Sequence, residues 1–399
     1  MERYLMRPIA LMILCFLQAG LCFSQDSAWQ ARTTGRLPFL EYGIGDDRLG
    51  GAKMTYLDSG ILLLVVDSFK TDYKVRLSKY HSGYIAKETV QLLKKQPARP
   101  PVHNTHLSGS WKVFGDSAAD YVAISLDEHM PYHAFQLMSP ARIAIDLFGV
   151  TSNTNWITQL RSTREIRNCW YEQVEDDVMR VYIELKHTQH WGCHIGYDTT
   201  GNRLVVRVKR QPVVPDIKKM RIAIDAGHGG DNEGASGVNS HVLEKNYTLL
   251  IAKQLQATLR KAGVKAVFMT RQTDTSLSMV ERIEMLRKFD PNFLVSIHLN
   301  STSTDTVQGT STYYRYPGFR PLSEAILTRM LSLGLKEYGN VGNFNFALNG
   351  PMDYPNALVE VAFLSNPADE KKILSPKFHK AVAQKIYLGM TDWLKQIKP

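Results

Sequence analysis

The sequence predicts an α/β domain with a mixed, mostly parallel sheet flanked by helices, preceded by two small all-β domains. Short apolar runs bounded by turn residues dominate the first half of the chain, whereas strand-like and helix-like segments alternate after residue 220. Two proline-bearing polar stretches, KKQPARPPVHNTHLSGS and QPVVPDIKK, separate these regions. The predicted organisation is a first unit at 35–95, a linker at 96–110, a second unit at 111–210, a linker at 211–219 and a third unit at 220–399.

Length and composition agree with this division. A chain of 399 residues is long enough for two or three folded units. Hydrophobic residues make up 44% and charged residues 22%, which excludes collagen-like and wholly disordered chains. The net charge of +10 favours anionic partners such as cell-wall polymer, nucleic acid or acidic lipid, without choosing among them.

The N-terminus predicts export. Residues 1–7 carry two arginines, and residues 8–23 are apolar apart from Gln18. The apolar run is shorter than the roughly 20 residues of a spanning helix, so we expect a signal peptide at 1–24. An uncleaved anchor is the alternative, and Cys22 raises a lipoprotein interpretation that the bulky Leu21 disfavours. We therefore expect a periplasmic or secreted protein with no stable membrane span after cleavage.

The first two units have strand patterns. In the first, residues 60–67, 73–77 and 82–86 predict a small β-barrel that resembles bacterial Src-homology-3-like domains. In the second, alternating apolar and polar residues predict strands at 121–126, 141–147, 179–185 and 203–208. The runs ARIAIDLFG and MRVYIELK resemble the AMIN module, a β-sandwich that would place a wall hydrolase on the envelope.

The second unit also contains four potential metal ligands in KHTQHWGCH: His187, His190, Cys193 and His194. Side chains alternate faces along a strand and Trp191 favours packing, so we expect no metal site here. Cys169 and Cys193 are the cysteines left after signal cleavage. The sequence leaves open whether they form a disulfide or are two buried thiols.

The third unit alternates strands and helices. Strands are predicted at 221–225, 264–270, 293–298, 310–316 and 357–363, and helices at 244–261, 277–289, 321–335 and 377–397. Ligands of such α/β sheets gather at the carboxyl ends of the strands. His228 follows the first strand, Glu244 opens the first helix, His298 ends a strand and Glu360 lies within the last one.

Two imidazoles and one carboxylate are a ligand set for a catalytic zinc ion, with a fourth position left for water. Each residue alone would more often be structural, and Glu244 at a helix start is also favoured by the helix dipole. A phosphate loop is disfavoured because GHGGDNEG lacks the spacing and the lysine of a P-loop.

Five segments, in order, resemble the zinc-dependent N-acetylmuramoyl-L-alanine amidases: RIAIDAGHGGDNEGASG, LEKNYTLLIAKQL, TRQTDTSLSMVERIEML, FLVSIHLNS and LVEVAFLSNPAD. The resemblance implies that His228, Glu244 and His298 bind one Zn²⁺ and that Glu360 is the acid/base. Ala226, Leu299 and the run EVAF depart from the common family pattern without touching a proposed ligand.

The resemblance implies cleavage of the amide between N-acetylmuramic acid and L-alanine, in wall remodelling or daughter-cell separation. The expected partners are peptidoglycan and an activator protein of the division machinery, and no nucleic acid. Two alternatives are a zinc peptidase acting on another stem-peptide amide and a non-catalytic peptidoglycan-binding or scaffolding protein.

Two details of the site remain expectations from sequence. Asn300 and Asn366 are either hydrogen-bond donors to glycan or peptide or turn-stabilising residues. Fourteen residues separate His298 from Tyr313, which predicts that no helix after the second histidine plugs the cleft.

Overall fold

The structure is a computed structural model that describes residues 28–45, 50–93 and 105–397. The predicted signal peptide at 1–24 and most of the predicted linker at 96–110 lie outside these residues. Within the described ranges, none of the helices combines the length and the apolar character that crossing a bilayer requires.

The first unit is a seven-stranded antiparallel sheet with strand order β3-β2-β6-β5-β4-β1-β7. The three strands predicted from apolar runs are confirmed as β4 to β6. Strands β2, β3 and β7 have only three or four residues, and β1 lies before the predicted start of the unit at 35. The strands are β1 (Trp29–Thr33), β2 (Phe39–Glu41), β3 (Lys53–Tyr56), β4 (Leu62–Ser68), β5 (Asp72–Arg76), β6 (Ser82–Ala86) and β7 (Val90–Leu92).

The second unit contains two sheets, one of four strands in the order β10-β11-β15-β14 and one built on the path β12-β8-β9-β17-β16, with β13 beside β8. Strand β8 begins at His106, so the end of the predicted linker at 96–110 is strand and not linker. The strands are β8 (His106–Gly115), β9 (Ala119–Leu126), β10 (Tyr132–Met138), β11 (Ala141–Phe148), β12 (Val150–Ser152), β13 (Ile157–Gln159), β14 (Ile166–Glu175), β15 (Val178–Leu185), β16 (Cys193–Tyr197) and β17 (Arg203–Lys209).

The two β units share one continuous buried cluster. Leu63 and Val75 of the first unit belong to it together with Ile124 and Ile145 of the second, and all are at most 2% exposed. Burial of apolar surface across the boundary joins the two units into one packed body.

The third unit is a six-stranded sheet in the order β19-β18-β20-β23-β21-β22, with helices packed on it. All neighbouring strands are parallel except β21 and β23. The strands are β18 (Arg221–Ala226), β19 (Ala266–Met269), β20 (Phe293–Asn300), β21 (Thr310–Tyr313), β22 (Glu337–Val341) and β23 (Asn356–Phe363). The helices are α1 (Glu244–Lys261), α2 (Met279–Phe289), α3 (Arg320–Leu331), α4 (Pro367–Ile373) and α5 (Pro376–Gln396).

Most predicted elements of the third unit are present, with shifted ends. Helix α3 ends at Leu331 rather than at 335, because the chain turns at Ser332 and Gly334 takes a φ of 72°. The predicted strand at 310–316 ends at Tyr313. In the predicted linker at 211–219, Ile217 is only 5% exposed and packs into the core of the third unit.

The histidines of the second unit contact separate polar groups, and its two cysteines are unbridged. His187 Nδ1 lies 2.7 Å from Glu165, His190 Nε2 lies 3.1 Å from the Leu137 carbonyl, and His194 Nδ1 lies 2.8 Å from Asp353. Each of the three rings therefore contacts a different polar group. Cys169 and Cys193 are both buried free thiols, which decides the open disulfide question for this structure.

Candidate metal centre

Three predicted ligands converge at one edge of the third sheet. Strands β18 and β20 are parallel neighbours, so the loop after β18 carries His228 close to His298 near the end of β20. Glu244 is the first residue of α1 and points between the two rings. Its Oε1 lies 3.1 Å from His228 Nε2 and 3.1 Å from His298 Nδ1. The two rings are 4.9 Å apart at an angle of 75°.

Backbone amides fix the Glu244 carboxylate. Oε1 accepts a hydrogen bond from the Leu299 amide at 2.9 Å, and Oε2 accepts one from the Ala235 amide at 2.8 Å. Burial alone would raise the pKa of Glu244, but hydrogen bonds from His228 and His298 lower it overall. The side chain is therefore held as a carboxylate with one oxygen aimed at both imidazoles.

His228 has an unusual backbone conformation, with a φ of 61°. Asn232 stabilises its ring, because its Oδ1 lies 2.8 Å from His228 Nδ1 and accepts that N–H. With Nδ1–H donated to Asn232, Nε2 is the ring nitrogen that pairs with Glu244, and loss of its proton would free it to bind a metal. Burial lowers the pKa of His228, but the hydrogen bond and charge of Glu244 raise it overall.

Two arginines hold the glycine-rich turn that carries His228. Arg271 donates to the carbonyls of Ala226 and Gly227, each at 2.9 Å. Arg282, only 1% exposed, donates to the carbonyls of Ala226 at 2.9 Å and of His228 at 2.5 Å. Arginine suits this role because its rigid guanidinium presents several donors at once.

Asp225 balances the buried charge of Arg282. Its Oδ1 lies 2.6 Å from the guanidinium and accepts from the Thr270 hydroxyl at 2.7 Å, and its Oδ2 accepts from the Ser296 hydroxyl at 2.7 Å. Burial raises the pKa of Asp225, but the charges of Arg282 and His298 lower it overall. Asp225 lies at the end of β18, three residues before His228, so this pair anchors the turn to the sheet.

Glu360 lies beside the three convergent residues. On the parallel strand β23 it is the register partner of His298, which places the two backbones about 4.8 Å apart. On the other side its partner is Ser311 in β21, and the side chain is half-buried. Burial raises the pKa of Tyr313, and the charge of Glu360 adds to this effect, whereas a hydrogen bond with Ser311 opposes it.

Aromatic rings border the same edge. Phe346 meets the His298 ring edge-on, with centroids 5.3 Å apart and an angle of 83°. The centroid of the Phe344 ring lies 6.3 Å from that of Phe346 and 4.5 Å from that of Tyr313. Phe344 and Phe346 follow β22 in a segment without regular structure, and sequence analysis missed them because nothing local indicates their fold-back onto His298.

The two candidate asparagines have structural partners. Asn366 caps α4, because its Oδ1 accepts from the amides of Ala368 at 3.0 Å and Asp369 at 3.1 Å. Asn300 accepts from the Ser301 amide at 2.8 Å and donates to the Tyr313 hydroxyl at 3.3 Å. Residues 301–309, where a plugging helix was not expected, form an irregular loop.

The donor set fits a zinc ion. Bonds of 2.0–2.2 Å in a tetrahedral site place neighbouring ligand atoms about 3.3 Å apart. The observed spacing of 3.1 Å from Glu244 Oε1 to each imidazole nitrogen agrees with that value. Among the residues that the structure describes, one group of three possible metal ligands has its ligand atoms within 4.8 Å of one another: His228, Glu244 and His298.

The comparison with family models agrees with this geometry. Residues 222–392 match the model of the N-acetylmuramoyl-L-alanine amidase family. Nearly the whole third unit is therefore similar in sequence to this family. The match includes all four site residues and the strands and helix that carry them, whereas the two β units lie outside it.

Two proteins with similar sequences are also named as probable amidases. Over 259 residues the chain is 29% identical to a probable cell wall amidase, LytH, of Staphylococcus saprophyticus, covering 61% of this chain and 86% of that protein. It is 29% identical over 224 residues to a probable N-acetylmuramoyl-L-alanine amidase, AmiB, of Haemophilus influenzae, covering 42% of this chain and only 51% of the relative.

Among solved structures, the catalytic domain of CwlV, an N-acetylmuramoyl-L-alanine amidase from Bacillus (Paenibacillus) polymyxa, is 31% identical to this chain. The alignment covers 44% of this chain and 97% of that domain, with a TM-score of 0.42.

Proposed function

We propose that this protein is a zinc-dependent peptidoglycan hydrolase. It cleaves the amide between N-acetylmuramic acid and L-alanine of the stem peptide, in cell-wall remodelling or daughter-cell separation. The observation that supports this most directly is the convergence of Glu244 Oε1 with His228 Nε2 and His298 Nδ1, inside a domain of the amidase family.

His228, Glu244 and His298 would hold the ion. The chemistry that a bound zinc ion supplies is polarisation of the scissile carbonyl and a water pKa lowered to about 7. Asn232 keeps His228 in the tautomer whose Nε2 is available, and the two amides on Glu244 keep its carboxylate in place. The ligand side chains are therefore ordered before substrate binds.

Glu360 is the proposed acid/base. As water attacks the lactoyl carbonyl, the Glu360 carboxylate accepts the water proton. It then delivers that proton to the amine of L-alanine, because an amide nitrogen leaves poorly unless it is protonated. Its position next to His298 on the neighbouring strand supports this role.

The remaining parts of the chain would determine where the enzyme acts. We propose that residues 1–24 direct export to the periplasm or beyond it, that the second unit is an AMIN-like module, and that the net charge of +10 assists adhesion to anionic wall material. An activator protein of the division machinery remains part of this proposal. The irregular loop at 301–309 is consistent with a cleft that lacks a helical plug after His298.

The experiment is digestion of purified sacculi with the wild type and with Glu360→Ala, followed by mass spectrometry and a zinc assay. We expect the wild type to release stem peptides and to leave a free lactoyl carboxylate on muramic acid. The Glu360→Ala variant should retain zinc and lose this release. Glu337→Ala, which removes an exposed glutamate from the edge strand of the same sheet, is the matched control.

Each alternative has its own outcome. An intact lactoyl amide with cleavage elsewhere in the peptide would indicate a zinc peptidase. Wall binding by a zinc-loaded wild type without any hydrolysis would indicate a scaffolding protein. Retained hydrolysis in Glu360→Ala would mean that another residue supplies the base.

A further inference from the structure

The rim of the amidase site includes a short segment that belongs to neither a strand nor a helix. Residues 344–346, here called the aromatic segment, follow β22 and precede a 3-10 turn at Ala347–Asn349. Phe346 packs edge-on against the ligand His298, and Phe344 packs against Tyr313. The position of this segment therefore sets the shape of one wall of the cleft.

Within the third unit isolated hydrogen bonds, rather than a strand ladder, hold the backbone of the aromatic segment, and the Phe346 carbonyl accepts one from the Asn349 amide at 3.0 Å. The Phe344 amide donates to the Tyr314 carbonyl at 3.1 Å, and the preceding Asn343 takes a left-handed φ of 53°. A segment outside the sheet ladder depends on side-chain contacts for its conformation. Side chains of the third unit supply part of this support, and hydrogen bonds from the first β unit supply another part.

Asn345 connects the segment to the first β unit. Its side-chain Nδ2 donates to the Gly51 carbonyl at 2.8 Å, and its Oδ1 accepts from the Lys53 amide at 3.0 Å. The donor and the acceptor of the amide side chain both bond to the backbone at residues 51–53, where the chain enters β3. Asparagine fits because it offers a donor and an acceptor together.

Neighbouring contacts reinforce the same junction. The Tyr56 hydroxyl of β3 donates to the Ala347 carbonyl at 3.2 Å, and Arg315 donates to the Met54 carbonyl at 3.4 Å. Tyr56 also packs with Phe346 and Leu348 in one apolar cluster. The first unit shares its core with the second, so it provides a firm support for these contacts.

We propose that Asn345 is a positioning residue, through which the first β unit holds the aromatic segment against the amidase site. The ordered wall orients the substrate, a muramyl peptide with an apolar sugar face and an alanine methyl group, beside His298. The first unit therefore contributes to substrate binding without touching the substrate. The substrate part of this inference rests on the proposed function.

The test uses the full chain with Asn345→Leu, which keeps the approximate volume and removes both hydrogen bonds. Asn345→Asp keeps the acceptor for the Lys53 amide and is the conservative variant. The matched control is Arg36→Ala, which removes another contact between the first and third units, the pairing of Arg36 Nε with Glu284 at 2.9 Å. Glu284 lies on α2 and not on the aromatic segment.

In Asn345→Leu we expect amide hydrogen exchange of residues 343–348 to become roughly 10- to 100-fold faster, because two hydrogen bonds are lost. The KM for peptidoglycan should rise by about 10-fold, with kcat changed by less than about threefold and zinc content unchanged. Asn345→Asp should change the exchange rate and the KM less than Asn345→Leu does. Arg36→Ala should resemble the wild type in both measurements.

Unchanged exchange at 343–348 in Asn345→Leu would overturn the proposal, whatever the activity. Faster exchange with an unchanged KM would overturn the role in substrate binding. A wild type that binds zinc but releases no stem peptide would instead contradict the proposed function, and the exchange measurement would still decide whether the first unit orders the segment.

Discussion

Gly227 packs tightly against His298 in the candidate metal centre, and the substitution Gly227→Ala provides a quantitative test of the site. A Cβ at this position would lie 2.4 Å from His298 Cε1 and 2.5 Å from Nε2. Carbon atoms in contact are about 3.5–4.0 Å apart, so the ring or the turn must move by about 1 Å. Gly227 is thus required by close approach to the second histidine.

A displacement of about 1 Å is large for a metal site. A shift of about 1 Å away from Glu244 would lengthen the 3.1 Å separation of His298 Nδ1 from Glu244 Oε1 to roughly 4 Å, outside the spacing of about 3.3 Å that a tetrahedral zinc site requires. Loss of a partner that merely orients a ligand costs 10- to 100-fold in metal affinity. We expect at least this loss of zinc affinity in Gly227→Ala, together with a decrease in kcat/KM of about 100-fold or more.

The assay is competition for zinc with a chelator of known affinity, combined with hydrolysis of purified sacculi. Gly389→Ala is the control for overpacking, because its Cβ would lie 2.6 Å from Ile326 Cα in the contact between α3 and α5. It should destabilise the fold by about 1–3 kcal/mol and leave zinc affinity unchanged. Zinc affinity and activity like the wild type in Gly227→Ala would refute the described position of His298.

Three further substitutions test the surroundings of the site and one buried histidine. Arg282→Met leaves Asp225 buried without its partner, which should cost about 3–5 kcal/mol in thermal or chemical unfolding, and an unchanged stability would contradict the buried ion pair. Asn232→Ala removes the acceptor for His228 Nδ1 and should weaken zinc binding about 10- to 100-fold in chelator competition, with little change in melting temperature. Burial lowers the pKa of His190 from 6.5 to about 4. Between these two pH values His190 is protonated in the unfolded chain but neutral in the folded one, so the folded state loses stability as the pH decreases from 6.5 towards 4. Replacing His190 by Phe should reduce this pH dependence by up to about 3 kcal/mol in denaturant titrations, and an unchanged slope would contradict the shifted pKa.

The third unit was the most predictable part of the fold because its elements carry strong local patterns. The apolar spacing of Ile251, Leu255 and Leu259 predicts α1 with the bounds that the structure has, 244–261. Strand β22 was missed because its sequence, EYGNV, is exposed at the sheet edge and lacks apolar alternation. The start of β8 was mistaken for linker for a similar reason, since HLSGS is short and polar.

The proposed metal ligands could be named from sequence because each lies next to a recognisable turn or element end. The sequence does indicate a buried ion pair or hydrogen-bond network at Asp225, because a carboxylate at the end of the apolar run RIAID needs a buried partner. That partner could not be identified, since Arg282 is 57 residues away in the chain. Asn345 gave no local signal, because its contact with Lys53 joins residues 292 positions apart.

The buried charges around His228 serve a common purpose. The carbonyls of the glycine-rich turn need donors, and Arg282 supplies them, but its positive charge so close to the centre would repel a divalent cation. Asp225 neutralises this charge at 2.6 Å, and its remaining oxygen is occupied by the Ser296 hydroxyl. Glu244 is therefore left as the carboxylate directed at the two imidazoles, so the site presents a negative charge where the ion would bind. The Asp225–Arg282 pair thus allows a strong backbone anchor to coexist with the proposed cation site.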